Sequence, residues 1–282
     1  MLTFTTISDT RNCLSELKKE GKTIGFVPTM GALHSGHISL INQSNRENSI
    51  TASSIFVNPL QFNDKKDLDK YPRTLENDSL MLKTANCGLL FAPSVYDMYP
   101  EGSKTENDLL ELRVLDKVME GKYRPGHFQG VCRAVKRLFD IIQPDTAYFG
   151  EKDFQQVAII EYMVREFKLP IKIVRCATVR EQDGLAMSSR NVLLSPAERK
   201  NASIIYSTLL AAKENKKTLS VSELVNWATE QINTDPLFQV EYFEIVNAET
   251  LESITDWSQS NNIRGCIAVK AGNVRLIDNI QF

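Results

Sequence analysis

The chain has 282 residues, of which 42% are hydrophobic and 24% charged, and its formal net charge at pH 7 is -2. This composition is typical of a globular protein without a broad basic surface, so nucleic acid is not an expected partner. The first twenty residues are polar throughout and no later apolar run is long enough to span a membrane, so we expect a cytoplasmic protein that does not bind membranes. The five scattered cysteines lack CxxC spacing, which favours reduced thiols over disulfides or a zinc site.

The segment at residues 25–41, GFVPTMGALHSGHISLI, predicts a strand, a glycine-bearing loop and then a helix. Such junctions bind phosphate, because the first turn of a helix presents unpaired backbone N–H groups and partial positive charge. His34 and His37 lie three positions apart at this junction, so both imidazoles can face one phosphate. The alternative is that one histidine caps the helix and the other packs.

Strands and helices alternate along the first 177 residues, and this alternation favours a parallel sheet. The pattern predicts strands at residues 51–57, 89–91, 147–149 and 171–174, and helices at residues 75–85 and through 131–142. The predicted fold class is α/β, with a Rossmann-like doubly wound parallel sheet. Ligands bind at the carboxyl edge of such sheets, so GEKDFQQ at residues 150–156 should lie beside the histidine loop.

The composition shifts after Cys176. Two Ser-x-x-Glu capping boxes, at residues 195–198 and 220–223, predict helices, and the last forty residues or so alternate like strands around a turn at Gly272 and Asn273. We therefore predict two domains. Residues 1–177 form the Rossmann-like nucleotide- and substrate-binding domain, and residues 178–282 form a smaller C-terminal α+β domain that acts as a lid.

Two further stretches carry groups suited to phosphate. Lys152, within GEKD, offers a flexible positive charge beside Asp153, and residues 187–190, MSSR, offer two hydroxyls and the guanidinium of Arg190. The alternative is that Lys152 and Arg190 are solvated surface charges, as most lysines and arginines are.

Taken together, these motifs resemble the nucleotidyltransferase superfamily that includes the class I aminoacyl-tRNA synthetases, and within it the pantothenate synthetase family. The matching motifs are VPTMGALHSGH at residues 27–37, FVNPLQF at 56–62, YPRT at 71–74, RPGHFQGV at 124–131, YFGEKDFQQ at 148–156, DGLAMSSRN at 183–191 and RLIDN at 275–279. The resemblance covers nearly the whole chain. It implies a homodimeric ligase of the coenzyme A pathway that joins (R)-pantoate to β-alanine with ATP and Mg²⁺, through a pantoyl-adenylate, releasing AMP and pyrophosphate.

The resemblance also implies roles for individual residues. Those implied to bind ATP are Met30, Gly31, Ala32, Leu33, His34, Ser35, Gly36, His37, Gly150, Glu151, Lys152, Asp153, Val179, Met187, Ser188, Ser189 and Arg190. Among them the expected catalytic residues are His37, as proton donor, with His34, Lys152 and Arg190. Gln61 is implied to bind pantoate near β-alanine, and Gln156 to bind pantoate from the other side.

Two positions depart from the family pattern. Arg133 stands where a smaller residue is usual, and Asn77 lies in a segment that is often more acidic. No protein ligand for magnesium is assigned.

Alternative functions remain at this point. Another HxGH nucleotidyltransferase would transfer an adenylyl or cytidylyl group to a phosphorylated alcohol, although Gln61 and Gln156 suit hydroxyl groups better than phosphates. A tRNA synthetase would need a longer chain for an anticodon-binding domain. A noncatalytic nucleotide-sensing module is a different class, and pyrophosphate release would separate it from any ligase.

Overall fold

The computed structural model describes residues 1–100 and 110–282. These residues form two compact units, and the chain passes between them several times. The first unit comprises Met1–Leu112, Arg124–Glu151 and Gln156–Ala177, and the second comprises Arg113–Tyr123, Lys152–Gln155 and Thr178–Phe282. Two short segments from the first 177 residues therefore group with the C-terminal unit.

The first unit is built on a six-stranded parallel sheet. Its strands are β1 (Leu2–Phe4), β2 (Ile24–Thr29), β3 (Ile50–Ile55), β4 (Leu89–Phe91), β5 (Thr146–Gly150) and β6 (Lys172–Cys176). They lie in the order β1-β4-β3-β2-β5-β6, so the chain winds outward from β2 to β3 and β4, then returns to β5 and β6 on the other side. The predicted doubly wound α/β fold is confirmed.

Helices connect these strands. Those within the first 177 residues are α1 (Ile7–Lys19), α2 (Ser35–Glu47), α3 (Lys65–Lys70), α4 (Leu75–Thr84), α5 (Val95–Met98), α6 (Met119–Tyr123), α7 (His127–Ile142) and α8 (Phe154–Glu166). Helix α7 follows Gly126, whose φ of 80° suits glycine, and ends at Ile142, with Gln143 as the C-cap before Pro144. Its apolar residues recur at helical spacing and are buried, as the sequence predicts. None of the described helices is both long and apolar enough to cross a membrane.

The second unit is an α+β structure, as predicted. Its antiparallel strands are β7 (Phe238–Asn247), β8 (Ile263–Ala271) and β9 (Val274–Gln281), and its helices after residue 178 are α9 (Pro196–Asn201), α10 (Ile204–Asn215) and α11 (Val221–Asn233). Both predicted capping boxes form, one at Ser195 and one at Ser220. The apolar faces of α10 and α11 pack with the sheet in one core. Each helix is apolar on one face only, and it is this face that is buried.

A partly buried ion network ties α6 to the antiparallel sheet of this unit. Glu120 lies 2.6 Å from Nη1 of Arg275 on β9, and Glu241 on β7 lies 2.6 Å from Nη2. Tyr242 donates its hydroxyl to Glu120 at 2.8 Å. Burial opposes the charge on Arg275, but the two carboxylates outweigh it and raise its pKa. Because a buried charge without its partner is costly, this network joins Glu120 of α6 to the antiparallel sheet within the second unit.

Candidate active site

The loop after β2 places both histidines at the start of α2. His34 is the N-cap, and its Nδ1 accepts the N–H of Gly36 at 3.1 Å. Nδ1 of His37 accepts the N–H of His34 at 3.3 Å, and the two ring centroids lie 4.0 Å apart. An Nδ1 that accepts a hydrogen bond leaves the ring proton on Nε2. Capping therefore does not compete with ligand binding, because it fixes both rings with Nε2–H as the donor.

Asp78, on α4, holds the loop that precedes the histidines. Its carboxylate is fully buried and accepts the N–H of Ala32 at 2.9 Å and the N–H of Leu33 at 2.8 Å. The hydroxyl of Thr74 donates to it at 3.2 Å. Gly31 and Ala32 have φ values of 84° and 51°, and this left-handed backbone turns both N–H groups toward one acceptor.

The sequence prediction missed Asp78. A signal was present, because Asp78 lies four residues before the buried Leu82 on a predicted helix, and a carboxylate on an apolar helix face needs a specific partner.

Gln61 ends a 3₁₀ turn, Pro59–Gln61, that follows β3. Its side chain is buried, and Oε1 accepts from Nδ2 of Asn58 at 3.0 Å while Nε2 lies 3.0 Å from the sulfur of Met30. Asn58 is itself fixed, since it donates to the carbonyl of Gly130 at 2.9 Å and accepts from the hydroxyl of Tyr99 at 3.0 Å. The amide of Gln61 is thus oriented: its oxygen accepts from Asn58, and its NH₂ group faces the sulfur of Met30. Asn58 was not among the predicted residues.

The RPGH motif at residues 124–127, where α7 begins, contacts the same 3₁₀ turn. His127 is buried, and its Nδ1 lies 2.8 Å from the backbone carbonyl of Gln61. Arg124 lies 3.5 Å from that carbonyl through Nη2, and 3.2 Å from Nε2 of His127 through Nη1. A carbonyl only accepts, so Nδ1 carries the proton and Nε2 accepts from the guanidinium. The sequence alone predicts no role for the residues of this motif.

Close packing explains a glycine in this region. A Cβ on Gly130 would lie 2.2 Å from the carbonyl oxygen of Leu60, so only glycine lets α7 approach the 3₁₀ turn this closely.

The two departures from the family pattern have structural positions. The guanidinium of Arg133 lies 5.9 Å from the ring centroid of Tyr99, a distance at which a cation and an aromatic face attract. Burial raises the pKa of Tyr99 to about 12, so its hydroxyl stays protonated and able to donate to Asn58. Asn77 is exposed on α4.

The switch in strand order places two predicted segments side by side. β5 pairs directly with β2, with Phe26 opposite Ala147, so Gly150 and Glu151 leave the sheet next to the strand that leads into the histidine loop. Gln156 follows in the first turn of α8 and is half-buried.

The neighbouring Gln155 has a different environment. It accepts from the N–H of Glu120 at 2.9 Å and donates to the carbonyls of Leu115 and Val118. Of the two glutamines in GEKDFQQ, Gln155 therefore has its amide engaged within the second unit.

The remaining predicted residues belong to the second unit. Lys152 and Asp153 form an ion pair at 3.2 Å, and Asn279 donates to the carbonyl of Lys152 at 3.0 Å. Met187 donates its N–H to the carbonyl of Val179 at 3.0 Å, which joins the two ends of the loop that precedes the MSSR segment. Ser188, Ser189 and Arg190 are all half-buried.

The base of this loop is held by charge. Arg180 pairs with the buried Asp278 at 2.6 Å, and its guanidinium lies 3.6 Å from the ring centroid of Tyr206. At the tip, a hydrogen bond from Arg199 lowers the pKa of Asp183. The loop that precedes the MSSR segment is therefore held by an ion pair at its base and by a hydrogen bond at its tip.

A doubly wound parallel sheet with two histidines at the helix start after its central strand defines a Rossmann-like α/β protein of the HxGH type. The family model for pantoate-beta-alanine ligase matches residues 2–281. The chain belongs to that family and is an enzyme of the ligase class, as predicted.

Relatives and solved structures agree with this assignment. The chain is 52% identical to the pantothenate synthetase of Azobacteroides pseudotrichonymphae over 98% of each chain, and 50% identical to that of Bacteroides fragilis strain YCH46 over 98% of this chain and 97% of the relative. The crystal structure of pantothenate synthetase from Thermus thermophilus superposes with a TM-score of 0.92 at 45% identity, covering 100% of this chain and 99% of the other.

A second solved structure is a pantoate-beta-alanine ligase from Francisella tularensis, complexed with beta-gamma ATP and beta-alanine. It matches with a TM-score of 0.83 at 36% identity, over 100% of this chain and 97% of the other.

The role of Asp78 can be tested by comparing the free energies of unfolding of two variants. In Asp78→Asn, the amide presents one oxygen and an NH₂ group, so one loop N–H of Ala32 or Leu33 loses its acceptor. We expect the free energy of unfolding to fall by about 1–3 kcal/mol, measured by urea denaturation. Thr74→Val is the matched control, because it removes the hydroxyl donor but keeps both backbone bonds. Equal stabilities for the two variants would show that the loop does not depend on this carboxylate.

Proposed function

We propose that this enzyme condenses pantoate with β-alanine in two steps that consume ATP. In the first, a carboxylate oxygen of pantoate attacks the α-phosphorus of ATP, a P–O bond forms and pyrophosphate leaves. In the second, the free amine of β-alanine attacks the acyl carbon, a C–N bond forms, AMP leaves with its electron pair and the nitrogen loses a proton. The complex of the Francisella tularensis relative with an ATP species and β-alanine supports this assignment of substrates.

The observation that carries the proposal is the reciprocal capping of His34 and His37. The acid is already ionised, so the first step needs no base; it needs stabilisation of the charge that develops on the departing pyrophosphate. Two Nε2–H donors side by side, at a helix N-terminus, are suited to that charge. We assign His37 as the proton donor and His34 as its partner. Both lie in the proposed ATP-binding segment at residues 30–37. Gly150 and Glu151 are the other residues of the first unit that we assign to ATP binding.

For the second unit, we propose that Lys152 and Arg190 supply positive charge to phosphate oxygens, with Asp153, Val179 and residues 187–189 completing the ATP contacts. The chemistry of the two side chains supports this, since an ammonium group and a guanidinium both form charge-assisted hydrogen bonds with phosphate oxygens. The contacts that hold the loop before Met187 support it as well, because a loop held in place before binding loses less entropy when the ligand binds.

Pantoate is assigned to Gln61 and Gln156. Because Asn58 engages the oxygen of Gln61, we propose that Nε2 of Gln61 donates to a pantoate oxygen. The sulfur of Met30 beside it is soft and apolar and suits a dimethyl-substituted carbon.

Magnesium is proposed to enter bound to ATP. Among residues 1–100 and 110–282, no three His, Cys, Asp or Glu side chains are grouped so that they could hold a metal ion, and the carboxylate of Asp78 is already engaged by backbone N–H groups. Mg²⁺ commonly binds through substrate phosphates rather than a cage of protein ligands, and it neutralises their charge. The homodimer, the cytoplasmic location and the lid role of residues 178–282 stay predictions.

The proposed function predicts that isotope exchange between pyrophosphate and ATP will require pantoate and will not require β-alanine. Exchange reports the first step alone, so it separates a ligase from a noncatalytic nucleotide-binding module. The measurement is the incorporation of labelled pyrophosphate into ATP with pantoate, with an unrelated carboxylic acid, and with neither. Exchange that is equally fast in all three would refute the assignment.

The histidine roles can be separated from capping. His34→Asn keeps an acceptor for the N–H of Gly36, since asparagine is a good N-cap, but loses the Nε2–H donor. We expect its thermal stability to stay near that of the unsubstituted enzyme while the single-turnover rate of adenylation falls by about 10²-fold. His37→Ala should lose a similar factor, and ATP affinity should fall less than the rate. A variant that loses ATP affinity at an unchanged rate would make its histidine a ground-state binding residue.

Pantoate recognition predicts a different outcome for the glutamines. Gln61→Ala and Gln156→Ala should each weaken the apparent affinity for pantoate by about 1–3 kcal/mol and leave ATP affinity nearly unchanged, because a substrate oxygen loses its partner. Gln43→Ala, on the same unit, is the control. The measurement compares pantoate with an analogue that lacks one hydroxyl. Full preference for pantoate in both variants would place its hydrogen-bonding partners elsewhere.

A further inference from the structure

Asn279, in the RLIDN motif on β9, holds the segment that carries Lys152. It is buried, and its Nδ2 donates to the backbone carbonyl of Lys152 at 3.0 Å, while its Oδ1 accepts from Nη1 of Arg264 at 3.1 Å. The guanidinium of Arg264 lies 4.7 Å from the ring centroid of Phe154, close enough for a cation to attract an aromatic face. The segment is therefore held at two points, and the two bonds of the amide determine its orientation.

Asp278, the preceding residue of the motif, holds the loop that leads to the MSSR segment. Its buried carboxylate accepts from both Nη atoms of Arg180, at 2.6 and 2.9 Å. Arg180 forms an antiparallel bridge with Ala186. The carbonyl of Ala186 accepts from Nδ2 of Asn191, which directly follows Arg190, at 3.1 Å. A short chain of contacts thus runs from Asp278 to the neighbour of Arg190.

The two side chains leave β9 on opposite faces of the antiparallel sheet, because neighbouring residues of a strand alternate. Ile280 shares the face of Asp278 and belongs to the core formed with α10 and α11. Arg275 shares the face of Asn279 and pairs with Glu120 of α6. A single step along β9 therefore links a loop on one face of the sheet to a segment on the other.

We propose that Asp278 and Asn279 are positioning residues for the adenylation step. Asp278 positions Arg190 through the loop before the MSSR segment. Asn279 positions Lys152 through its backbone carbonyl. The inference deepens the proposed function and rests on it, since it concerns the two cations assigned to phosphate oxygens. Two cations that contact one triphosphate need a fixed separation, and neighbouring residues of one paired strand supply it.

Neither positioning residue takes part in bond formation. A carboxylate oxygen of pantoate forms the P–O bond, the bond from the α-phosphorus to the oxygen bridging to the β-phosphorus breaks, and pyrophosphate leaves with the electron pair. The cations stabilise the charge on that leaving group, so their placement affects the first step.

A purely structural role makes a different prediction. If the two side chains only stabilised the fold of the second unit, their loss would lower activity by the same factor whichever cation was present. If each side chain positions one cation, its loss has little effect once that cation has been removed, and keeps its full effect when only the other is removed. A crossed set of double-mutant cycles separates these cases.

The test uses Asn279→Asp and Asp278→Asn, each alone and combined with Lys152→Met or Arg190→Gln. Asn279→Asp keeps the acceptor and loses the N–H donor to the carbonyl of Lys152. Asp278→Asn replaces the charged partner of the loop with a neutral amide. Asn279→Ser and Arg180→Lys provide the same comparisons for a first variant that fails to fold.

Trp257→Phe is the matched control. Nε1 of Trp257 donates to the backbone carbonyl of Leu219 at 2.9 Å, so this substitution removes a side-chain donor from a carbonyl of the same unit that belongs to neither ATP segment. Two quantities are measured for every variant. One is the free energy of unfolding in urea. The other is the second-order rate constant with ATP for pantoate-dependent pyrophosphate release in a single turnover without β-alanine.

We expect each single variant to lower this rate constant by about 10- to 100-fold, the scale for misplacing a positioned group by about 1 Å. In the Lys152→Met background, Asn279→Asp should cost less than about 2-fold further, and Asp278→Asn should keep its full factor. The pattern should be reversed in the Arg190→Gln background, and Trp257→Phe should leave the rate constant unchanged.

Equal factors in both backgrounds, or no loss in the single variants, would overturn the inference. An unchanged rate constant in Lys152→Met and Arg190→Gln would also overturn it and would leave the ligase assignment standing. Absence of pantoate-dependent pyrophosphate release in the unsubstituted enzyme would instead overturn the proposed function.

Discussion

The carboxylate of Asp78 is the interaction on which the histidine loop depends. A left-handed backbone at Gly31 and Ala32 is unfavourable for alanine, and it persists because two N–H groups are satisfied by one buried acceptor. That conformation leads the chain into α2 with His34 at the N-cap. The carboxylate of Asp78 on α4 therefore holds the loop that presents the two imidazoles.

The order of strands and helices in the first unit followed from periodicity, because buried parallel strands and amphipathic helices leave different patterns in the sequence. Strand β4 was predicted to the residue, and the predicted helix at residues 75–85 ends one residue late. The neighbouring position of Gly150 and the histidine loop followed as well, from the rule for the carboxyl edge of parallel sheets.

The sequence did not reveal the contacts that orient these side chains. Asp78 lies 46 residues from Ala32, and Arg124 lies 63 residues from Gln61. No local pattern marks such pairs, since each depends on how the helices pack. The histidines show the same limit in another way: capping and ligand binding appeared as alternatives, but both capping bonds use Nδ1, so capping does not exclude the second role.

The ion network at Glu120 has a consequence for how the second unit is assembled. Arg275 follows Glu120 by 155 residues, so during synthesis the carboxylate leaves the ribosome long before its counter-ion exists. Closing so long a loop is entropically costly, and until it closes Arg275 has only Glu241 of these two carboxylates as a partner. A fragment cut at residue 178 would contain all three strands of that sheet but not the carboxylate of Glu120. Such a fragment would therefore lack one of the two carboxylates that pair with Arg275.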